Sequence, residues 1–288
     1  MPYFKFLRET DRDNHAVLKS CIEGNIKFSL FSEMRDQTET HTEVDEKDVK
    51  KTIKELLTNF LISMKLALIL PRQIVLVNRI YSNLSVLLNV LKKSPELCLL
   101  SSQSHLKKLS YLIAHYLPIM LEVTNRDIQT RIGILCITKK INDKRMWEEY
   151  ADEAKGFVVE YRDLNSIFTG DCTGVFDKIT KVNYVKKKRL PLRLSACDFD
   201  RLFFTKLQDI YGFEREYRVI KVLRDCNNEN GGCFIRINPE KYISRIIVGY
   251  NNSLEEFKEI RNYVKEHSSI PVVQAIANGN QIEIKQLT

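Results

Sequence analysis

The residues best suited by type and spacing to do chemistry are Glu214 and Glu216, separated by Arg215 and followed by Tyr217 and Arg218. Residues 213–220 alternate in the manner of a strand, and along a strand successive side chains point to opposite faces. Phe213, Arg215, Tyr217 and Val219 then share one face, and Glu214, Glu216, Arg218 and Ile220 share the other. Two carboxylates beside a guanidinium make a compact polar row. Each carboxylate raises the pKa of its neighbour, and the arginine opposes that effect. Such a row can orient hydroxyls, accept protons or hold a cation. The same spacing also fits a solvated strand face with cross-strand ion pairs, which adds little to stability.

A second cluster runs from Trp147 to Phe157 and contains the chain's only tryptophan. On a helix Trp147, Tyr150 and Ala154 fall on one face, and Gly156 is suited to end that helix and lead into a strand. Trp147 is either the aromatic anchor of a helix packed on a sheet, the commoner use, or a stacking surface for a ligand.

Several other chemistries have no support. The chain contains no Gly-x-x-x-x-Gly-Lys-Ser/Thr, no Gly-x-Gly-x-x-Gly, no Gly-x-Ser-x-Gly and no His-Glu-x-x-His. Its five histidines, His15, His41, His105, His115 and His267, are scattered. Seven cysteines occur without a Cys-x-x-Cys pair or a histidine at zinc spacing, which reads as reduced thiols in a reducing compartment and no structural metal. The net charge is +8, with one dense run at Lys186-Lys187-Lys188-Arg189. That run is a nucleic-acid patch, an anionic-membrane contact, a nuclear address or simply a solvated loop. The overall excess also suits a phosphate-bearing small molecule.

The elements that must position these residues follow from periodicity. Strands are expected at Tyr3 to Arg8, Ile26 to Leu30, Ile132 to Thr138, Phe157 to Tyr161, Lys181 to Val185, Phe213 to Val222, Phe234 to Ile237 and Arg245 to Val248. A terminal hairpin, Val272 to Ala277 and Ile282 to Leu287, closes on Asn278-Gly279-Asn280. Short helices are expected over 16–23, capped by Asp13 or Asn14, over 144–154, over 198–210 and over 254–267. A three-helix block spans 46–120, with apolar residues at three-to-four spacing. The segregation of strands and helices predicts an α+β fold, one domain over 1–288 with 46–120 as a helical insertion. The charged N-terminus has no apolar signal region. The stretch from Leu56 to Leu91 is broken by Lys65, Pro71, Arg72 and Arg79, short of the roughly 18 apolar residues a span needs. A cytoplasmic protein with no membrane partner is expected. Export by a signal-peptide-independent secretion system would leave no mark in the sequence.

The two clusters together resemble a bacterial domain-of-unknown-function family, number 2971. The resemblance rests on the Trp-x-x-Tyr-Ala-x-x-x-Lys-Gly-Phe segment at Trp147 to Phe157 and the strand Ile134-Leu135-Cys136-Ile137-Thr138. It also rests on Glu214-x-Glu216-Tyr217-Arg218, on Asn238-Pro239 followed by Ile246-Ile247-Val248-Gly249, and on the opening Tyr3-Phe4-Lys5-Phe6. It covers essentially the whole chain, least so the helical block. Where the family has an Asn-Asp-Pro turn this chain has Arg35-Asp36-Gln37, and Leu7 stands where a basic residue belongs.

The same order of motifs resembles the ADP-ribosyltransferase superfamily. That resemblance implies a split antiparallel or mixed sheet binding NAD as substrate, and a mono-ADP-ribosyltransferase acting on a protein in effector, toxin or defence style. It implies that Arg8 or Lys5 meets the NAD pyrophosphate, that Thr138 holds the nicotinamide-side ribose, and that Trp147 or Tyr150 stacks near the nicotinamide. Arg218 completes the cofactor-binding set. Glu216 binds a ribose hydroxyl and stabilises the oxocarbenium-like charge, and Glu214 orients the incoming nucleophile. Two other readings stand beside it. Paired carboxylates near Lys221 and the basic run fit a Mg²⁺-dependent nuclease or a nucleic-acid binder. The block over 46–120 fits a non-catalytic interaction module.

Overall fold

The computed structural model describes residues 1–9, 14–30, 33–34, 132–170, 176–186, 203–222, 233–279 and 281–285. The chain divides into two compact units, one of Met1–Thr40, Gln129–Lys188 and Phe199–Thr288, the other of His41–Ile128 and Arg189–Asp198. All described residues belong to the first. The helical block expected over 46–120 lies outside them.

In chain order the described elements are β1 (Tyr3–Leu7), α1 (Ala16–Ile22), β2 (Asn25–Leu30), β3 (Ile132–Thr138), α2 (Lys144–Tyr150) and β4 (Phe157–Tyr161). They continue with β5 (Thr180–Lys181), β6 (Asn183–Val185), β7 (Thr205–Leu207), α3 (Gln208–Tyr211), β8 (Glu216–Val222) and β9 (Cys233–Arg236). The last are α4 (Pro239–Tyr242), β10 (Ile243–Val248), α5 (Leu254–His267), β11 (Val272–Asn278) and β12 (Gln281–Lys285). This is the mixed, mainly antiparallel α+β architecture that the segregated pattern predicts.

Ten strands form one sheet in the order β12-β11-β10-β4-β1-β3-β2-β9, with β8 on β3 and β5 on β8. The sheet forks at β3. One edge of β3 pairs with β8 along its whole length, from Ile132↔Val222 to Thr138↔Glu216. The other edge meets β1 only at Phe4↔Thr138 and β2 only at Ser29↔Ile134 and Leu30↔Gly133. β1 and β2 therefore leave β3 from opposite ends. Lys5 reaches into this fork and its Nζ donates to the Lys27 carbonyl on β2 at 2.6 Å.

The apolar core lies on both faces. Tyr3, Phe157, Val159, Tyr161 and Ile246 pack with Leu18, Cys21 and Ile22 of α1 and Val264 of α5. Phe4, Val158, Ile247, Val273 and Ala275 pack with Trp147 of α2. The alternation of β1 and β4 residues between the two sets is the period of a strand covered on both sides.

Several helix boundaries depart from expectation for identifiable reasons. α1 is not capped by Asp13 or Asn14. Its N-cap is His15, which is left-handed at φ 48 and makes no side-chain cap bond. The free N–H groups of Val17 and Leu18 are taken instead by the Glu9 carboxylate, at 2.9 and 3.0 Å. α2 is opened by Asp143, whose side chain accepts from the Arg145 N–H, but stops at Tyr150 rather than at 154. Asp152, Glu153 and Ala154 follow in the left-handed region at φ 51, 51 and 62. Asn251 and Asn252 hold that turn, donating to the carbonyls of Glu153 and Lys155 at 2.6 and 2.9 Å. Gly156 is required beyond it because a Cβ there would lie 2.2 Å from the Leu7 carbonyl oxygen. Of the helix expected over 198–210, the described part is helical at Phe203 and Phe204, is interrupted by β7 and resumes in the single turn of α3; β7 pairs in parallel with β6. α5 matches its expected span and opens with a Ser253–Glu256 capping box. Cys21 and Cys136 are free thiols, whereas Cys233 is disulfide-bonded, against the expectation that all seven are reduced.

Candidate active site

The two glutamates meet, although not as neighbours on one strand. β8 begins at Glu216, and Glu214 sits in the turn after α3, where its N–H donates to the Tyr211 carbonyl at 3.1 Å. Between them Arg215 is left-handed, with φ 46. Simple alternation from residue 213 therefore does not apply. The turn at Arg215 swings Glu214 back so that both carboxylates reach one ammonium, that of Lys206 on β7. Lys206 Nζ lies 2.7 Å from Glu214 Oε2 and 2.9 Å from Glu216 Oε2.

Arg218 completes the group. It is fully buried, and it grips Glu216 with two donors, Nε to Oε1 at 2.9 Å and Nη2 to Oε2 at 3.1 Å. Its Nη1 donates to the Phe203 carbonyl at 2.7 Å. Tyr150 of α2 donates its hydroxyl to Glu214 Oε1. The Glu216 backbone N–H donates to the Tyr184 hydroxyl at 2.9 Å, and the Cys136 thiol donates to the Glu216 carboxylate. Glu214 is 3% exposed and Glu216 5%. The solvated-face reading of this strand is therefore excluded. Two negative and two positive side chains are buried together, which is the condition under which buried charge is tolerated.

The surroundings separate the two carboxyls. Burial alone would raise Glu216, but Arg218, Lys206 and the donors from Arg218 and Cys136 hold it down at about 2. Glu214 moves the other way. Burial pushes its carboxyl above the ordinary value, Lys206 opposes the rise, and the charge on Glu216 adds to it. Burial also raises the hydroxyls of Tyr150 and Tyr184 and the thiol of Cys136.

The remaining residues singled out from sequence divide between this site and other places. Thr138 is directly opposite Glu216 in the β3–β8 register. Its hydroxyl accepts from Lys140 N at 3.2 Å and donates to the Arg215 carbonyl at 3.4 Å, which ties the end of β3 to the turn between the glutamates. Tyr150 joins the site through Glu214. Trp147 does not. It is fully buried, its indole N–H donates to the Ile141 carbonyl at 2.7 Å, and it packs edge-on against Phe6. That is the anchor role of the two considered. Arg8 donates to the Glu149 carbonyl at 2.5 Å, and Lys5 is held at Lys27. Neither bonds either carboxylate. Burial lowers the Lys5 ammonium to about 8, and Cys136 and Cys21 partly offset the fall.

Lys206 and Tyr184 were not among the residues singled out. The one signal for Lys206 is a lone cation among apolar neighbours in Phe203-Phe204-Thr205-Lys206-Leu207, a placement that requires a buried partner. Among the described residues, no helix is long and apolar enough to cross a membrane. No family model, curated protein or solved structure matches the chain.

Proposed function

We propose that the chain is an NAD-dependent mono-ADP-ribosyltransferase modifying a protein, of effector, toxin or defence type, and that its forked sheet is a scaffold of the ADP-ribosyltransferase kind. The observation that carries this reading is the pair of glutamates, Glu214 and Glu216, gathered on Lys206, whose surroundings push their two carboxyl pKa values in opposite directions. A site that keeps one carboxylate charged and raises the pKa of the other holds a fixed charge and a proton carrier together. Glu216, kept ionised by Arg218 and Lys206, is the fixed charge that would face the positive ribosyl carbon as its bond to nicotinamide breaks. Glu214 would take the proton released by the acceptor as the new bond to that carbon forms. Thr138, opposite Glu216, would hold the ribose. Arg218 and Tyr150 serve the glutamates, and Trp147 fixes the helix that carries Tyr150. A pyrophosphate role for Lys5 or Arg8 requires the side chain to leave the carbonyl it now binds. Cytoplasmic action, with or without translocation into another cell, belongs to the same proposal.

The test is transfer of label from NAD⁺ to protein in a lysate, with nicotinamide release measured alongside. Both are expected from the native chain, and both are expected to vanish in Glu216→Gln. Absence of NAD⁺ binding and turnover in the folded native chain would remove the reading.

One observation favours a second, non-catalytic reading. The four charges balance, and all four carboxylate oxygens accept from Lys206, Arg218 or Tyr150. On that reading the cluster is a polar staple joining α2, β7 and β8. The same occupancy weighs against a Mg²⁺-dependent nuclease, because a metal bridging the pair would have to displace Lys206 from both glutamates.

A further inference from the structure

The face of β8 opposite the glutamates carries a second arrangement of charge. Tyr217 points there, and Lys139, just past the end of β3, lays its ammonium over two aromatic rings at once. Its Nζ is 4.7 Å from the Tyr217 ring centre and 5.0 Å from that of Tyr3. The two tyrosines meet edge to face at 5.6 Å. A lysine is ordinarily a mobile point charge, and attraction to two ring faces holds this one in place. Lys181 of β5 is the direct register partner of Tyr217, so its side chain leaves the sheet beside the same ring. Lys139 and Lys181 are both exposed.

Two more cations are fastened to the same corner. The Thr138 hydroxyl bonds Lys140 N and the Arg215 carbonyl. Thr138 thereby fixes the backbone from which Lys140 and Arg215 extend. Among the described residues, none of these four cations has a carboxylate within ion-pair distance, whereas Lys144, Arg145, Lys221 and Arg245 each do. The chain as a whole carries +8.

We infer that Lys139, held over the Tyr3–Tyr217 pair, and Lys181, beside Tyr217 in the strand register, form a phosphoryl-binding site, with Lys140 and Arg215 extending it along the end of the β3–β8 ladder. A preplaced ammonium with a second unneutralised one beside it suits a phosphate oxygen, and the flanking cations suit a ligand with more than one phosphoryl group. Such groups occur in a free nucleotide or pyrophosphate and in the backbone of a nucleic acid. The inference does not rest on the role of the glutamates: Glu216 lies on the opposite face of β8 and Glu214 in the turn before it.

The experiment uses the full chain and two probes, inorganic pyrophosphate followed by NMR shifts and a single-stranded oligonucleotide followed by fluorescence anisotropy. The variants are Lys139→Gln with Lys181→Gln, and as a control Lys258→Gln with Lys265→Gln, which removes the same charge from α5. The site variant is expected to weaken pyrophosphate binding about tenfold or more, and the control to leave it nearly unchanged. Oligonucleotide binding that is weakened likewise, with a salt slope smaller by about 1.4 for two lost contacts to a single strand, identifies a nucleic-acid backbone as the ligand. Pyrophosphate binding alone identifies a free phosphate ligand. Failure of both probes to bind the native chain, or equal loss in site and control variants, overturns the assignment. Tyr217→Leu gives an independent check, since removing the ring beneath Lys139 is expected to weaken the same binding while both lysines remain.

Discussion

On one face of β8, Glu216 is bonded to both Arg218 and Lys206, and all three side chains are buried. On the other face Tyr217 carries Lys139 over its ring and has Lys181 as its register partner, both exposed and, among the described residues, neither paired with a carboxylate. The two arrangements are one residue apart in sequence and differ in what their charges cost. A buried charge must find its partners within the protein or it destabilises the fold. An exposed one is stabilised by solvent and remains available to a ligand. The first face is therefore expected to be intolerant of change and the second tolerant, whatever either binds.

The largest effect that can test this contrast is Arg218→Met. Among the described residues it leaves Glu216 with Lys206 as its one charged partner, and it removes the donor to the Phe203 carbonyl. Loss of one partner of a buried pair typically costs about 3–5 kcal/mol, which urea denaturation would register as a large fall in midpoint. A loss under about 1 kcal/mol would mean that the cluster relaxes into water and that the contrast between the faces is false.

Next comes Lys206→Met, expected to cost about 3 kcal/mol because, among the described residues, it leaves the buried Glu214 without a cation and Glu216 with Arg218 alone as its cation. Adding Glu214→Gln removes the excess charge. The double variant should recover at least about 1 kcal/mol of the loss, a coupling that a double-mutant cycle measures. Strict additivity would show that Lys206 does not link the two glutamates.

Acid supplies a third test. The folded Glu216 sits near 2 against an ordinary 4.5, so its stabilising share is complete above 4.5 and is lost as pH falls towards 2. Glu214 is raised, so its contribution has the opposite sign: it is present at low pH and is lost as pH rises through its folded value. Stability measured from pH 5 down to pH 2 should therefore fall in the native chain, and part of that slope should vanish in Glu216→Gln. An unchanged slope in the variant would place the low carboxyl elsewhere.

The smallest effect belongs to the exposed face. Lys139→Gln gives up a cation–π contact in water and should change stability by no more than about 0.5–1 kcal/mol. A thermal scan that shows a much larger fall would make Lys139 part of the fold rather than a group held ready for a ligand.

The sequence made the strands more legible than the connections between them. Ile132–Thr138, Phe157–Tyr161 and α5 agree with expectation to the residue, because apolar runs and a Ser253–Glu256 capping box are local signals. The convergence of Glu214 and Glu216 was legible, but the reason was not. Alternation along a strand was the wrong geometry, and the left-handed Arg215 that brings Glu214 back has no signature in an arginine codon or its neighbours. Lys206 was hidden because its partners lie 8 and 10 positions further on, across a turn and a change of element. A helical period read over residues 198–210 conceals the short strand that carries it. Trp147 shows the reverse case. As a residue type it suits ligand stacking, and only its contacts with Ile141 and Phe6 show that it anchors α2.

The most direct test of the account is nicotinamide release from NAD⁺ by three folded proteins, the native chain, Glu214→Gln and Glu216→Gln, with protein labelling recorded in the same samples. The roles proposed for the two carboxylates require release and labelling by the native chain. They require continued release but little labelling in Glu214→Gln, and neither in Glu216→Gln. Folded native protein that releases no nicotinamide, or a Glu216→Gln variant as active as the native chain, would contradict the account and leave the buried charges as a staple of the fold.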